Sequence, residues 1–308
     1  FEFLTGDSMA FMPTGSVPYQ QYVKSEIPSL ASRLGELGYT TAAIHPYYGS
    51  GWCRNIVYPL LGFDQMLFKD DFAAPKKIRN YISDEAAFQK IIELYEEKGA
   101  DEKLFTFEVT MQNHGGYSKD VGDFNESIYL TDEMSQGTQV RAAEKYLTLI
   151  KESDQAFKEL VEYFEKQQEP TIILMFGDHQ PSDYITNVIL RELGLDRDTD
   201  DDVYYNNYIV PYIMWSNYDM DTTQVENISL NYLGGMLMEK AGIGLTGYQQ
   251  FLKEMQKEFP AITANMIMNA DGSRVAEKDV QSEWIENYHK LVYNHLCDKK
   301  DKLTQFYE

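Results

Sequence analysis

The chain has 308 residues, of which 43% are apolar, and a formal net charge of −22 at pH 7. This apolar fraction is large enough for a buried core, which excludes an intrinsically disordered chain. The acidic charge argues against binding of nucleic acid or of an anionic bilayer through general electrostatics. Cys53 and Cys297 lie far apart in sequence and lack zinc-site spacing, so a single disulfide and two free thiols both remain open.

The length of the chain and of its apolar runs sets further limits. The length fits one large α/β domain or two smaller ones. No apolar run approaches the ~20 residues that a membrane-spanning helix needs. The chain opens on Phe1-Glu2-Phe3-Leu4 without a Met, so we expect no signal peptide within it. Because this start falls in the middle of a pattern, we expect the sequence to be part of a longer protein.

Helix and strand patterns alternate after an irregular first segment. A helix is predicted at 29–37, a strand at 39–44, a helix at 83–98, a strand at 104–111, a helix at 138–167, strands at 171–176 and 208–215, and helices at 230–241, 248–259 and 281–296. Strands that alternate with helices of this length predict an α/β fold with a largely parallel sheet flanked by helices.

Three predicted strands end on polar residues that can carry chemistry. His45 follows the first strand, His114 follows the strand at 104–111, and Asp178-His179 follows the strand at 171–176. The carboxyl ends of parallel strands share one edge of a sheet, so these side chains are expected to converge. One carboxylate and one imidazole suit a divalent cation; an ordinary turn with an incidental histidine is the alternative.

The order of these motifs resembles that of the lipoteichoic acid synthase family of phosphoglycerol transferases, a branch of the sulfatase/alkaline-phosphatase superfamily. The resemblance extends to about residue 242 and rests on Phe-Glu-Phe-Leu-Thr-Gly at the start, Trp52-Cys53-Arg54-Asn55, Asn113-His114 and Phe176-Gly177-Asp178-His179. It implies an alkaline-phosphatase/sulfatase-like fold and a catalytic domain on the extracellular face of the cell membrane, anchored by upstream transmembrane helices. The implied reaction moves glycerol phosphate from a phosphatidylglycerol-like lipid headgroup to a glycerol-phosphate polymer or glycolipid acceptor.

The resemblance also implies substrate-binding and catalytic roles. Arg54 would hold the phosphate through its planar guanidinium, and Trp52 would pack beside the glycerol. His45 and His114 would donate hydrogen bonds to phosphate oxygens or protonate the leaving alkoxide. The plainer alternatives are a core position for Trp52, a surface ion pair for Arg54 and a turn cap for His45.

The metal site and the nucleophile follow from the same resemblance. Asp178 and His179 would be ligands of Mn²⁺ or Mg²⁺. The family's nucleophilic threonine and a further glutamate ligand come before the position of Phe1, so we expect this chain to lack both, together with the first strand of the sheet. Thr5 lies downstream of the nucleophile's position. We expect residues 1–245 to form the catalytic domain and residues 246–308 a helical C-terminal extension.

Two other readings stay open. A different sulfatase-superfamily enzyme, either a phosphoethanolamine transferase or a phosphodiester or sulfate-ester hydrolase, would use the same residues on another substrate. A module that binds an anionic polymer without turnover would need only the cationic and imidazole side chains. The predicted absence of the threonine and the glutamate keeps this second reading open.

Overall fold

The computed structural model describes residues 1–117, 124–131, 138–222 and 225–308. Its strands are β1 (Tyr39–Ile44), β2 (Gln65–Leu67), β3 (Lys77–Ile78), β4 (Tyr81–Ile82), β5 (Lys103–Glu108), β6 (Ile172–Phe176), β7 (Tyr212–Ser216), β8 (Ala261–Ile262), β9 (Ile267–Met268) and β10 (Arg274–Val275). Its α-helices are α1 (Glu2–Thr5), α2 (Pro18–Gln21), α3 (Leu30–Glu36), α4 (Arg54–Leu60), α5 (Asp84–Glu97), α6 (Thr138–Phe164), α7 (Asp183–Glu192), α8 (Asp201–Asn206), α9 (Leu230–Lys240), α10 (Gly247–Gln256), α11 (Glu283–Leu296) and α12 (Thr304–Tyr307).

The ends of the predicted helices are set by local side chains. Ser29 caps α3 by accepting hydrogen bonds from the N–H groups of Ala31 and Ser32. Gly38 follows α3 with φ +81°, a left-handed conformation that glycine adopts without steric cost. Ser83 caps α5 through the N–H of Ala86. These helices are therefore confirmed where the sequence predicts them.

The first sheet carries the histidine loops on one edge. β1 lies between β2 and β5, and both pairings are parallel. Ile44, the last residue of β1, pairs with Glu108, the last residue of β5. The predicted strand at 104–111 is thus three residues too long at its end. Because the two strands end in register, the loops that follow them begin side by side.

The second strand pair runs in the opposite sense. β6 pairs with β7 in antiparallel register, with Phe176 opposite Tyr212. Among the described residues, β5 pairs only with β1 and β6 only with β7. The Phe3 ring lies between the two pairs, 5.9 Å from the ring of Phe107 and 5.1 Å from that of Phe176. The lack of a first strand stays a prediction.

Helices cover the strands on both sides. α1, α3 and α4 supply Leu4, Leu34 and Tyr58 to the main core, which also receives the β5 phenylalanines. α5 and α6 pack against each other through Ile92 and Leu160. Within the described ranges, no helix is both long and apolar enough to span a bilayer.

The C-terminal region packs against the start of the chain. α10 and α11 contribute Tyr248 and Tyr288 to a second core, against which Phe11 lies. Both tyrosines donate hydrogen bonds to the carbonyl of Gly6, at 3.3 and 2.7 Å. Besides helices, this region contains the short strands β8–β10. The boundary near residue 245 stays a prediction.

Candidate active site

His45 lies at the carboxyl end of β1 and is buried, with 2% of its surface exposed. Its backbone N–H donates to the carbonyl of Leu67, and its Nδ1 lies 2.7 Å from the carbonyl of Val109. A carbonyl can only accept, so Nδ1 carries the proton. Burial, and then the charge of Arg54, lower the pKa of His45 to about 4. At neutral pH the ring is therefore neutral, with an unprotonated Nε2.

This tautomer changes the role expected of His45. An unprotonated Nε2 accepts a hydrogen bond or a proton, and it cannot donate to a phosphate oxygen. A hydroxyl group of a substrate is the matching partner. The neutral tautomer favours an acceptor role for His45, and the hydrogen bond from His45 to a phosphate oxygen stays a prediction.

Arg54 begins α4 after a strained turn. Trp52 and Cys53 have φ values of 57° and 59°, in the left-handed region that costs a non-glycine residue about 1 kcal/mol or more. Trp52 is 54% exposed and is not a core residue. The Arg54 guanidinium lies 5.7 Å from the Trp52 ring and donates to the carbonyl of Gly51 at 3.1 Å.

No carboxylate of the described residues forms an ion pair with Arg54, which argues against the surface ion pair. Its Nε is buried without a hydrogen-bond partner. Its charge acts on His45 and on Tyr58, so the cation lies close to both rings. A half-buried guanidinium without a carboxylate partner is suited to bind an anion.

His114 follows β5 and is exposed. Its Nδ1 lies 3.5 Å from the hydroxyl of Tyr81. Two tyrosine rings link it to His45: Tyr47 lies 6.3 Å from the ring of His45 and 5.8 Å from that of Tyr81, which in turn lies 5.9 Å from the ring of His114. Arg79, which the sequence analysis missed, donates to the carbonyl of His114. No sequence signal marks Arg79, because it lies in the turn between β3 and β4, 35 residues from His114.

Asp178 and His179 occupy the turn after β6, and their side chains are 74% and 76% exposed. His179 Nδ1 donates to the carbonyl of Gln180 at 2.7 Å, which leaves Nε2 as the free lone pair. That Nε2 lies 3.5 Å from Asp178 Oδ2. The hydrogen bond on Nδ1 resembles the support that metal-binding histidines usually receive.

This donor pair fits two positions of a hard or borderline divalent cation. Within the described residues, no group of three or more His, Cys, Asp or Glu side chains is arranged to hold a metal. The assignment of Asp178 and His179 as metal ligands stays a prediction, and these two residues alone would supply only two ligands.

Aromatic residues and Arg79 surround the loop that carries His114. Burial raises the pKa of Tyr117 to about 12, and the Asp178 carboxylate is among the smaller contributors. The Tyr117 ring lies 5.0 Å from the guanidinium of Arg79, which holds His114. Arg79 therefore contacts both Tyr117 and the backbone of His114.

Two buried acids below the site were also missed. Both carboxylate oxygens of Glu108 are buried without a hydrogen-bond partner, and so is Oδ1 of Asp84. Burial, followed by the charge of Asp84, raises the pKa of Glu108 well above its ordinary value. Ser153 donates to the other oxygen of Asp84 at 2.5 Å.

Thr5 is not placed as a nucleophile. It is 5% exposed, and its hydroxyl oxygen accepts the N–H of Asp7 at 3.1 Å. The same hydroxyl donates to the carbonyl of Phe1 at 3.3 Å. These bonds close the C-terminal end of α1.

The sulfatase family model matches residues 1–243. The chain belongs to the sulfatase family. A putative cyclic beta-1,2-glucan modification protein of Rhizobium meliloti is 32% identical over 314 residues, which cover 100% of this chain and 48% of that protein. The chain therefore spans about half the length of this relative.

Two solved structures have the same fold. The Streptococcus pyogenes phosphoglycerol transferase GacH, in complex with sn-glycerol-1-phosphate, gives a TM-score of 0.69 at 18% identity, covering 97% of this chain and 72% of that chain. The lipoteichoic acid synthase LtaP from Listeria monocytogenes gives 0.66 at 16% identity, covering 94% and 75%. At these identities the likeness shows the fold alone. It confirms the alkaline-phosphatase/sulfatase-like α/β class, and the sulfatase superfamily is metal-dependent.

Proposed function

We propose that the protein is a metal-dependent phosphoglycerol transferase of the lipoteichoic acid synthase type. It moves glycerol phosphate from a phosphatidylglycerol-like lipid to a cell-envelope acceptor. The observation that supports this most is that the loops after β1 and β5 begin side by side, with His45 and Arg54 on the first loop and His114 on the second. These loops thus carry a cation suited to bind an anion and a neutral imidazole that accepts a hydrogen bond. A phosphate group esterified to glycerol needs both kinds of partner.

The proposed roles follow from the hydrogen-bonding capacity of each side chain. Arg54 holds the phosphate oxygens. His45 accepts a hydrogen bond from a glycerol hydroxyl through Nε2, since its Nδ1 proton is bound to Val109. Trp52, exposed beside Arg54, packs on the glycerol carbons. His114 donates to a phosphate oxygen or to the leaving oxygen.

The net reaction is a transesterification. The acceptor's hydroxyl oxygen forms a bond to phosphorus, and the bond from phosphorus to the diacylglycerol oxygen breaks. The acceptor's proton ends on the released diacylglycerol. Positioning and charge stabilisation are the main contributions a protein makes to such a transfer.

Asp178 and His179 would hold Mn²⁺ or Mg²⁺. When bound, the cation would neutralise negative charge on the phosphoryl oxygens. Asp178 supplies an oxygen ligand, which both cations accept, and the imidazole of His179 is better suited to Mn²⁺ than to Mg²⁺. The Nδ1–H bond of His179 to Gln180 orients the ring for this contact.

We also propose that the full-length protein is anchored in the cell membrane, with this region on the extracellular face. A lipid donor lies in a bilayer, and a chain with a net charge of −22 is not attracted to an anionic surface by general electrostatics. A separate membrane anchor would hold the active site close to the lipid, which the charge of the chain does not do.

The test compares lipids, metals and variants in the full-length protein. Vesicles of phosphatidylglycerol are incubated with the protein and Mn²⁺, and released diacylglycerol is measured. We expect release that a chelator abolishes, and a loss of about a hundredfold or more in Arg54→Ala. Arg33→Ala is the matched control, since Arg33 pairs with Glu36 on the surface of α3.

Each alternative has its own result. Preferential cleavage of phosphatidylethanolamine would assign a phosphoethanolamine transferase. Release of glycerol phosphate into water, with none on an acceptor, would assign a hydrolase. Binding of an anionic polymer by the full-length protein, without cleavage of either lipid in the presence of Mn²⁺ or Mg²⁺, would overturn the enzyme proposal in favour of a binding module.

A further inference from the structure

Three tyrosines, two of them exposed, form a cluster at α8. Tyr204 lies 5.3 Å from Tyr205 and 5.5 Å from Tyr208, measured between ring centroids. Tyr204 is 38% exposed and Tyr208 is 48% exposed. We call these three residues the tyrosine cluster. Tyr205 packs against a buried cluster that includes Met266, and Arg274 lies 5.1 Å from its ring, so the exposed aromatic area belongs to Tyr204 and Tyr208.

The tyrosine cluster adjoins the turn that carries Asp178 and His179. The side-chain amide of Gln180 donates to the carbonyl of Ile209, the residue after Tyr208. Gly177 N–H donates to the carbonyl of Pro211 at 3.1 Å. The segment that leaves the cluster is thus bonded on both sides of the candidate metal ligands.

Contact at Gly177 is close. A Cβ atom placed on Gly177 would lie 3.0 Å from Cβ of Val210, so no larger residue fits without movement of the segment. Residues 209–211, which directly follow the tyrosine cluster, are therefore held against the turn of Asp178 by packing as well as by hydrogen bonds.

The chemistry of the cluster matches a sugar. A tyrosine ring offers a rigid apolar face and one hydroxyl, at a low cost in conformational entropy. A pyranose has C–H groups that pack on such a face and hydroxyl groups that hydrogen-bond at its rim. The exposed amide of Asn206, on the same helix, adds a donor and an acceptor.

The negative charge next to the tyrosine cluster favours binding of a neutral acceptor over an anionic one. Residues 196–202 contain five aspartates and one arginine. The aspartates are exposed, and α8 begins inside this run. An acceptor with a phosphate on each repeating unit would be repelled there, because like charges a few ångströms apart destabilise a complex. A neutral sugar meets no such penalty.

We propose that the tyrosine cluster is the acceptor subsite and that it binds a neutral sugar residue of a cell-envelope glycan. The inference rests on the proposed transferase function, because it names the acceptor of that reaction. The sugar hydroxyl presented beside the Asp178 turn is the group whose oxygen bonds to phosphorus as the bond to the leaving oxygen breaks.

The experiment separates donor cleavage from transfer. The full-length protein, with Mn²⁺ and phosphatidylglycerol vesicles, receives a neutral β-glucan oligosaccharide. Diacylglycerol release and glycerol phosphate on the sugar are measured separately. We expect the double variant Tyr204→Ala/Tyr208→Ala to raise KM for the oligosaccharide about tenfold or more, while cleavage of the lipid in the absence of sugar is unchanged.

The control is Tyr293→Ala, which removes a tyrosine that is 58% exposed on α11. It should leave KM for the sugar unchanged. An equal KM in the double variant and the parent would overturn the proposal. So would a glycerol-phosphate oligomer that competes with the sugar and loses affinity to the same extent in the double variant.

A direct binding measurement distinguishes failure of the sugar subsite from failure of the proposed transferase function. The oligosaccharide is titrated into the parent and the double variant by calorimetry, without lipid. If no lipid is cleaved but the sugar binds only the parent, the transferase proposal fails and the sugar subsite stands. If lipid is cleaved but the sugar binds both proteins equally, the subsite is refuted and the transferase proposal stands.

Discussion

Arg79 holds the backbone of His114. Its Nη2 donates to the carbonyl oxygens of His114 and Gly115, each at 3.1 Å. Its own backbone is left-handed, with φ 59°, and its guanidinium lies 5.5 Å from the ring of Tyr81 and 5.0 Å from that of Tyr117. A strained residue held by two rings and two carbonyls fixes the turn from which His114 projects.

Arg79→Gln should therefore lower kcat for lipid cleavage by about ten- to a hundredfold, because hydrogen bonds from a charged donor contribute about 1.5–3 kcal/mol. KM should change less, since Arg79 contacts the turn. Arg79→Lys should recover part of the loss, as an ammonium group can bond one of the carbonyls. The test is to measure kcat and KM for lipid cleavage in these variants, with Arg33→Gln as the control. A change confined to KM would contradict the positioning role.

The buried neutral state of His45 predicts a pH dependence of stability. Its folded pKa of about 4 lies below the ordinary 6.5, so the unfolded chain binds the proton first as the pH falls. The unfolding free energy should decrease between pH 6.5 and pH 4, by an amount on the order of 3 kcal/mol from this residue alone. Denaturant unfolding at several pH values measures it.

His45→Gln should reduce that slope, because glutamine does not titrate. His289→Gln is the control, since His289 is exposed and stacks only on Phe11 at 4.8 Å among the described ring contacts. The same slope in His45→Gln and in the parent would show that other groups produce the dependence.

Glu108 predicts the opposite dependence. Burial and Asp84 raise its pKa, so the folded protein keeps the proton to a higher pH than the unfolded chain does. The resulting stabilisation is complete below the ordinary value of 4.5 and is lost as the pH rises through the raised pKa. Glu108→Gln should thus stabilise the protein more at pH 8 than at pH 5, by about 1 kcal/mol.

Thermal unfolding at the two pH values tests this, with the exposed Glu97→Gln as the matched variant. Equal effects of Glu108→Gln at both values would mean that Glu108 is ionised in the folded protein. The neighbouring acid is Asp84, and burial raises the pKa of its carboxyl as well. Asp84→Asn should therefore weaken the dependence on Glu108.

A buried ion pair joins the two ends of the chain. His295 Nδ1 lies 2.9 Å from Asp7 Oδ2, and His295 Nε2 lies 2.9 Å from the carbonyl of Pro28. A backbone carbonyl can only accept, so Nε2 carries a proton and donates to Pro28. Asp7→Asn should cost about 3–5 kcal/mol of stability, because it breaks a pair that is buried away from water.

A double-mutant cycle checks that coupling. Asp7→Asn with His295→Gln should be less destabilised than the sum of the single variants, since the second change removes the partner that the first leaves unsatisfied. Denaturant unfolding gives the four free energies. Strict additivity would show that the two residues act independently.

The sequence by itself determined the local structure and the residues at the strand ends. Apolar periodicity and caps such as Ser29, Ser83 and Gly38 placed the helices, because these signals act between residues a few positions apart. Polar residues after β1, β5 and β6 indicated where chemistry lies, since parallel strands share an edge. That the loops carrying His45 and His114 begin side by side follows from that rule and the register.

Only the tertiary structure decided the protonation, support and surroundings of these residues. The neutral tautomer of His45 depends on a carbonyl 64 residues away, and the ion pair of Asp7 depends on His295, 288 residues away. The antiparallel pairing of β6 with β7 and the proximity of the tyrosine cluster to Asp178 are likewise long-range contacts. Such contacts leave no periodic pattern in the sequence, because they form between segments whose spacing along the chain is arbitrary.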